Sequence, residues 1–277
     1  MATTKTLTTK ELTPFVGAEV LDVDLDRIQN DDELPGLVLN TLEARGVLLF
    51  RELHLDDEAQ AAFCHRLGEV RLFPQSPVPE IFEISRRPGN PFSGYTEGAI
   101  NWHIDGLIDQ DIPTKATILS ARVTAAEGGE TAFASSYAAY DDLTEEEKEQ
   151  FASLRVAHSF LAARRFISEP TPAQIADWES RGGREHPLVW THASGRKSLV
   201  LGSSADHIVG MDIEESRTLL DDLLQRATTP DRVYMHHWSL GDMVIWDNAG
   251  VLHRAMSYAD PNRRMHRTTI IGTEGVH

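Results

Sequence analysis

Beyond residue 101 the chain is a succession of short apolar runs broken by turns, and this constrains its fold more than any other feature. The runs at 101–105, 115–123, 131–134, 154–160, 187–191, 198–202, 232–238, 243–247 and 265–271 read as strands. Strands this short, not regularly alternating with helices, do not build a parallel sheet with crossover helices. They pair antiparallel and roll into two facing layers. The pattern therefore predicts a mainly β sandwich or jelly roll with peripheral helices. Helices are expected at 31–45, on the spacing of Leu34, Leu37, Val38 and Leu42, and at 56–67, on Ala59, Phe63 and Leu67. Between them Gly46 ends the first helix, and Val47–Phe50 reads as a buried strand. Thr144 with Glu147 and Thr171 with Gln174 form capping boxes that open two more helices, the second with Pro172 in its first turn. A last helix spans 213–226, with Leu219, Leu220, Leu223 and Leu224 after Asp212.

No repeat or low-complexity linker divides the chain, so one domain over 1–277 is expected. Residues 70–100 differ in character. Pro74, Pro77, Pro79, Pro88 and Pro91 and the tract FSGYTEG favour loops, and a substrate lid is expected near 72–100. With 26 basic against 43 acidic residues and a net charge of −17, the chain repels nucleic acid and anionic membrane, and no basic run offsets this. Cys64 is the sole cysteine, so neither an internal disulfide nor a cysteine-rich zinc site can form. The opening residues lack the apolar core of a signal peptide, and a cytoplasmic location is expected. Phosphate loops, dinucleotide fingerprints and nucleophile elbows are missing, and Gly128-Gly129 reads as a turn.

Twelve histidines direct attention to metal chemistry. In Asn101-Trp-His-Ile-Asp105, an extended chain would project His103 and Asp105 to one face and Ile104 to the other. Taken alone, a His-x-Asp is more often a polar pair on a sheet. A third ligand is best supplied by His253, at the end of the apolar-turn-apolar tract 243–253. Two imidazoles and one carboxylate make the facial triad of non-haem iron(II) oxygenases, although zinc accepts the same donors. His236 and His237 are the alternative ligands. His158, His186, His192 and His207 show no ligand spacing, and Trp102 and Trp246 read as packing residues flanking the site.

Downstream lies Asn262-Arg-Arg-Met-His-Arg267. On a strand Arg263, Met265 and Arg267 share a face, with Arg264 and His266 opposite. Two guanidiniums on one inward face of an acidic protein call for an anion, since arginine grips carboxylates through a planar fork. Without the neighbouring histidines and aspartate, a solvated basic edge strand would explain them equally well.

The tracts NWHID, GGETAFASSYAAYDDL (128–143), WSLGDMVIWDNAGVLH (238–253), RRMHRTTIIG (263–272) and GVLLFREL (46–53) resemble the taurine dioxygenase and 2,4-dichlorophenoxyacetate dioxygenase family, in family order over about residues 10–273. The resemblance implies a double-stranded β-helix, the cupin-like jelly roll of iron(II)- and 2-oxoglutarate-dependent oxygenases. It implies iron held by His103, Asp105 and His253, with O₂ as second cosubstrate, and Thr131 on 2-oxoglutarate. It also implies that the first arginine of an R-x-x-x-R pattern, Arg263 with Arg267, binds the far carboxylate. Counting forward from His253 would instead nominate Arg264; strand alternation favours Arg263. Arg267 then lies on the substrate side, with Tyr95 in the preceding loop as a further contact.

The expected activity is oxidative decarboxylation of 2-oxoglutarate to succinate and CO₂, coupled to C–H oxidation of a small molecule bearing an anionic group, preferably a carboxylate. Asp105 disfavours halogenation, which needs an open position where the carboxylate stands. Ala99 and the tract 72–77 lack the polar residues of the family's taurine enzymes, so taurine is not the expected substrate. The other function classes are a metal-dependent hydrolase and a non-catalytic jelly-roll binding protein on the same His/Asp/His set. No nucleic-acid or membrane partner is expected; a homo-oligomer is compatible with the sequence.

Overall fold

The computed structural model describes residues 6–90, 98–108, 110, 112–167 and 169–276. The N-terminal third holds β1 (Thr9–Glu11), β2 (Ala18–Val20), α1 (Leu25–Asn30), α2 (Leu34–Arg45), β3 (Val47–Phe50), α3 (Asp57–Leu67) and β4 (Phe82–Ser85). The middle holds β5 (Thr114–Val123), β6 (Thr131–Ser135), α4 (Ser136–Asp141), α5 (Glu145–Phe151), β7 (Arg155–Ser159), α6 (Phe160–Ala163), α7 (Pro172–Ser180), β8 (Gly183–Pro187) and β9 (Val189–Thr191). There follow β10 (Lys197–Leu199), β11 (Ala205–Ile208), α8 (Ile213–Ala227), β12 (Tyr234–His236), β13 (Met243–Asp247), β14 (Val251–Ala255) and β15 (Arg264–Ile271). No described helix is long and apolar enough to cross a membrane.

Seven strands form the large sheet in the order β1-β2-β3-β13-β5-β15-β4, and β12-β6-β14 form a smaller sheet facing it. Pairing is antiparallel in both, except between β2 and β3. The central strands are apolar on both faces because both are covered. In β13, Val244 and Trp246 enter the core between the sheets, with Leu49, Phe133, Val251 and Met265. Met243 and Ile245 point the other way, into the layer formed by α1, α2 and α3. A third core under α8 collects Ala132, Leu252, Trp102, Ile104 and Leu107. The outcome is the jelly roll expected from the strand pattern.

The helix ends follow local chemistry. Both capping boxes form, at Thr144 with Glu147 and at Thr171 with Gln174, and Asp212 caps α8. Two expectations are corrected. The helix expected from residue 31 starts at Leu34, because Pro35 lacks an amide hydrogen and suits only a first turn, and α1 precedes it. Residues 101–105 are not a strand: His103 alone forms a bridge, to His253. This segment is stitched between two elements, since Ser203 N–H also donates to the Trp102 carbonyl, and a ladder on either side ends after one step. The strands β8 (GREHP) and β11 (ADHI) escape sequence reading because they carry too few apolar residues.

Candidate active site

His253 lies on β14, next to Phe133 of β6 on one side and His103 on the other. Val251 before it packs between the sheets and Leu252 packs away from them, so alternation carries the imidazole inward. The same alternation holds at 102–105 without a regular strand. Trp102 and Ile104 enter the core under α8, while His103 and Asp105 turn toward His253.

The ring nitrogens are arranged for coordination. His103 Nδ1 lies 2.8 Å from the Asn101 carbonyl, which can only accept, so Nδ1 carries the hydrogen and Nε2 keeps a bare lone pair. Asp105 Oδ1 stands 3.6 Å from His103 Nε2 and 3.8 Å from His253 Nε2. Two donors of one ion, each about 2.1 Å from it, can be at most about 4.2 Å apart, and both Asp105 spacings fall inside that limit. One donor atom from each of His103, Asp105 and His253 falls within 4.8 Å of the others. Burial, reinforced by His103, pushes His253 down to about 3 despite the attraction of Asp105. Burial raises the Asp105 carboxyl, but Arg267, the two imidazoles and Thr117 outweigh it, and its value settles at about 2. At neutral pH His253 is therefore a neutral imidazole and Asp105 an ionised carboxylate, the protonation states a divalent cation requires of them.

The other Asp105 oxygen, Oδ2, accepts from the Thr117 hydroxyl at 3.2 Å and lies 3.7 Å from Arg267 Nη1. The Arg267 guanidinium rests over the Phe82 ring, 5.1 Å from its centroid, and Phe82 meets Phe73 edge-on at 5.0 Å. Thus a cation on an apolar wall stands beside the three donors.

Arg263 sits on the Gly128-Gly129 turn, and Thr131 opens β6 two residues after it. Thr131 is buried on β6 and accepts from the Trp238 indole at 3.0 Å, leaving its own hydroxyl hydrogen to donate elsewhere. Arg263 is 3% exposed, lies over Tyr258 and donates to the Gly129 carbonyl at 2.8 Å. A Cβ at Gly129, where φ is +77°, would come within 2.6 Å of Arg263 Nε, so the missing side chain makes room for the guanidinium. Among the described residues no carboxylate comes within ion-pair distance of Arg263, although burial draws its pKa below the ordinary value. Tyr258 and Glu130 attract it electrostatically, and a buried cation without a direct ion pair favours an anion beside it. Met265 packs between the sheets and Arg267 reaches Asp105, while His266 turns to Asp57 of α3; Arg263 precedes β15 and reaches Gly129. Arg264 opens β15 opposite Ser85, beyond a register shift.

Among the described residues, the other histidines form no metal-binding group with the three donors. His236 is buried against Asp242 at 3.3 Å, and exposed His237 sits 3.5 Å from Glu130. His158 contacts Ser204, His186 the Leu107 carbonyl, His192 Ser198 and His207 Asp206. Trp246 packs on the His253 ring at 4.8 Å, and Trp102 lies under Arg254. Tyr95 and the rest of residues 91–97 of the expected lid lie outside the described residues. Thr117, Phe82 and Phe73 were not singled out from sequence. Thr117 looks like any inward position of a β-branched strand, and the two phenylalanines like ordinary core.

Comparisons with known proteins identify relatives of the chain. The model of the "Taurine catabolism dioxygenase TauD, TfdA family" matches residues 8–269. The alpha-ketoglutarate-dependent 2,4-dichlorophenoxyacetate dioxygenase of Burkholderia sp. (strain RASC) is 35% identical over 253 residues, covering 85% of this chain and 84% of that protein. An alpha-ketoglutarate-dependent sulfate ester dioxygenase of Pseudomonas putida is 30% identical over 93% of this chain and 87% of its own length. Among solved structures, AAD-2 in complex with Mn(II) and N-oxalylglycine superposes with a TM-score of 0.82 at 32% identity, covering 99% of this chain and 100% of that one.

Proposed function

The chain belongs to the taurine catabolism dioxygenase TauD, TfdA family and is an iron(II)- and 2-oxoglutarate-dependent dioxygenase; on that premise we propose the roles of its residues and the class of its substrate. His103, Asp105 and His253 hold the metal. Arg263 grips the far carboxylate of 2-oxoglutarate, and the Thr131 hydroxyl donates to the same group. When bound, iron, 2-oxoglutarate and O₂ supply the oxidising chemistry: the cosubstrate goes to succinate and CO₂ while a substrate C–H bond is oxidised. The polypeptide's part is to orient these groups and to present the substrate carbon.

The substrate is a small anionic organic molecule, preferably a carboxylate, held by Arg267 with its apolar part on Phe82. The single observation carrying this is the Arg267 guanidinium beside Asp105, resting on the Phe82 ring. Arg263 and Arg267 lie four residues apart, about 13 Å along an extended chain, too far to share one carboxylate. Relatives named for phenoxyacetate and sulfate ester substrates support an anionic class. A metal-dependent hydrolase would leave Arg263 without a purpose. Asp105 favours hydroxylation, or a desaturation or cleavage variant, over halogenation.

Two measurements test the proposal. Iron(II) and 2-oxoglutarate added without oxygen should produce a visible charge-transfer band, lost in His253→Ala. Succinate release across carboxylates, sulfonates, sulfates and neutral analogues should respond to anions; a preference for neutral or cationic molecules would overturn the substrate class.

A further inference from the structure

A carboxylate that binds a metal through one oxygen must be told which oxygen to offer. In this protein Asp105 Oδ1 faces the two imidazoles, while Oδ2 receives the Thr117 hydroxyl at 3.2 Å. Behind Thr117 the hydrogen bonds continue in one direction. Trp246 Nε1–H donates to Asn248 Oδ1 at 3.1 Å, and Asn248 Nδ2–H donates to Thr117 Oγ1 at 2.8 Å. Each link works only one way. An indole nitrogen can donate but not accept, so Asn248 must turn its carbonyl to Trp246 and its amide hydrogens to Thr117. The Thr117 oxygen is then already an acceptor, and its one hydrogen is left for Asp105.

Register holds the three groups together. Trp246 of β13 lies directly opposite Thr117 of β5, and Asn248 is in the turn that ends β13. Thr117 and Asn248 are fully buried and Trp246 is 3% exposed, so water does not compete for these bonds. Oδ2 has a rival donor in Arg267, 3.7 Å away. A hydroxyl already on Oδ2 weakens the pull of Arg267 on that oxygen and leaves its guanidinium for an incoming anion.

We propose that Thr117, aimed by Asn248 and Trp246, is a positioning residue that presents Asp105 to the metal through Oδ1. The proposal rests on the His103, Asp105 and His253 set being the metal site. The test is titration of Co(II) into the metal-depleted protein without oxygen, followed by its visible ligand-field spectrum, in native protein, Thr117→Val, Thr117→Ser, Asn248→Ala and Asp105→Ala. Loss of a hydrogen bond to a ligating carboxylate weakens metal binding about 10- to 100-fold, so Thr117→Val should raise the Co(II) Kd by that factor and alter the spectrum. Thr117→Ser, which keeps the hydroxyl, should restore both, and Asn248→Ala should weaken binding several-fold. Native affinity in Thr117→Val, or a Thr117→Ser variant as weak as the valine one, would overturn the proposal. If Thr117→Val does not fold, unchanged Co(II) affinity in Asn248→Ala overturns it. Asp105→Ala separates the two readings: native Co(II) affinity there would refute the metal site itself, and the proposal with it.

Discussion

His103 and His253 exchange both of their backbone hydrogen bonds, N–H to carbonyl in each direction at 3.0 Å. Residues paired in this way across antiparallel chains project their side chains to the same side. The imidazole centroids accordingly lie 4.2 Å apart, although the bridge belongs to no continuous ladder. The backbone pair needs neither imidazole. His103→Ala and His253→Ala should therefore abolish metal-dependent turnover and Co(II) binding while far-ultraviolet circular dichroism stays native. Full activity in His253→Ala would remove His253 from the metal site.

Arg263 is buried with no carboxylate within ion-pair distance among the described residues, and the 2-oxoglutarate carboxylate is proposed to fill that place. Removing one member of a buried charge pair costs on the order of 3 kcal/mol, or roughly two orders of magnitude in affinity. Arg263→Ala should raise the 2-oxoglutarate KM by about that factor, whereas Arg264→Ala should leave it near the native value. The reverse result would move the cosubstrate contact to Arg264.

Gly129→Ala places a methyl 2.6 Å from Arg263 Nε at a position with φ of +77°. It should push the guanidinium off its seat and raise the 2-oxoglutarate KM without affecting Co(II) affinity. Parallel cosubstrate kinetics and Co(II) titration check this; an unchanged KM would show that Arg263 accommodates the displacement.

Arg267 rests on Phe82 beside Asp105. Arg267→Gln should raise the KM for the prime substrate while 2-oxoglutarate turnover continues uncoupled from it. Measuring succinate and oxidised product in the same reaction distinguishes the two. A parallel loss of both would assign Arg267 to the cosubstrate instead.

Burial holds His158 neutral, with its value pushed down to about 3. The unfolded chain titrates near 6.5, so between about pH 6.5 and 3 it binds the extra proton and stability falls as pH falls. Each such group contributes a slope of about 1.4 kcal/mol per pH unit. His186, His192, His236 and, without metal, His253 are lowered by burial in the same sense. Urea midpoints between pH 4.5 and 7 should decline toward acid, and His158→Gln should flatten that decline by about one proton. An unchanged slope would mean that His158 is protonated in the folded state.

Local pattern carried much of this molecule. The strands β3, β5, β13 and β15, the capping boxes at Thr144 and Thr171, and the leucine stripe of α8 stand where periodicity and turn chemistry predict them, give or take a residue. The turning of His103 and Asp105 to one side was legible from alternation alone. Alternation needs only an extended chain, and so it survived where residues 101–105 failed to form a strand.

What the sequence determined by itself is therefore which side chains turn inward from each extended segment, and which donor and cation types they are. Their meeting was decided by the tertiary structure. His103 reaches His253 only because the loop at 101–105 is laid along β14, and Thr117 reaches Asn248 only because β5 pairs with β13 in one register. Shifting that register by one residue would turn Thr117 to the opposite face and leave Asp105 Oδ2 without its donor. The cause lies in the range of the interactions. Periodicity, caps and turns are set by neighbours a few residues apart, whereas register is set by the packing of whole faces such as Val244, Trp246 and Met265, contributed by distant parts of the chain.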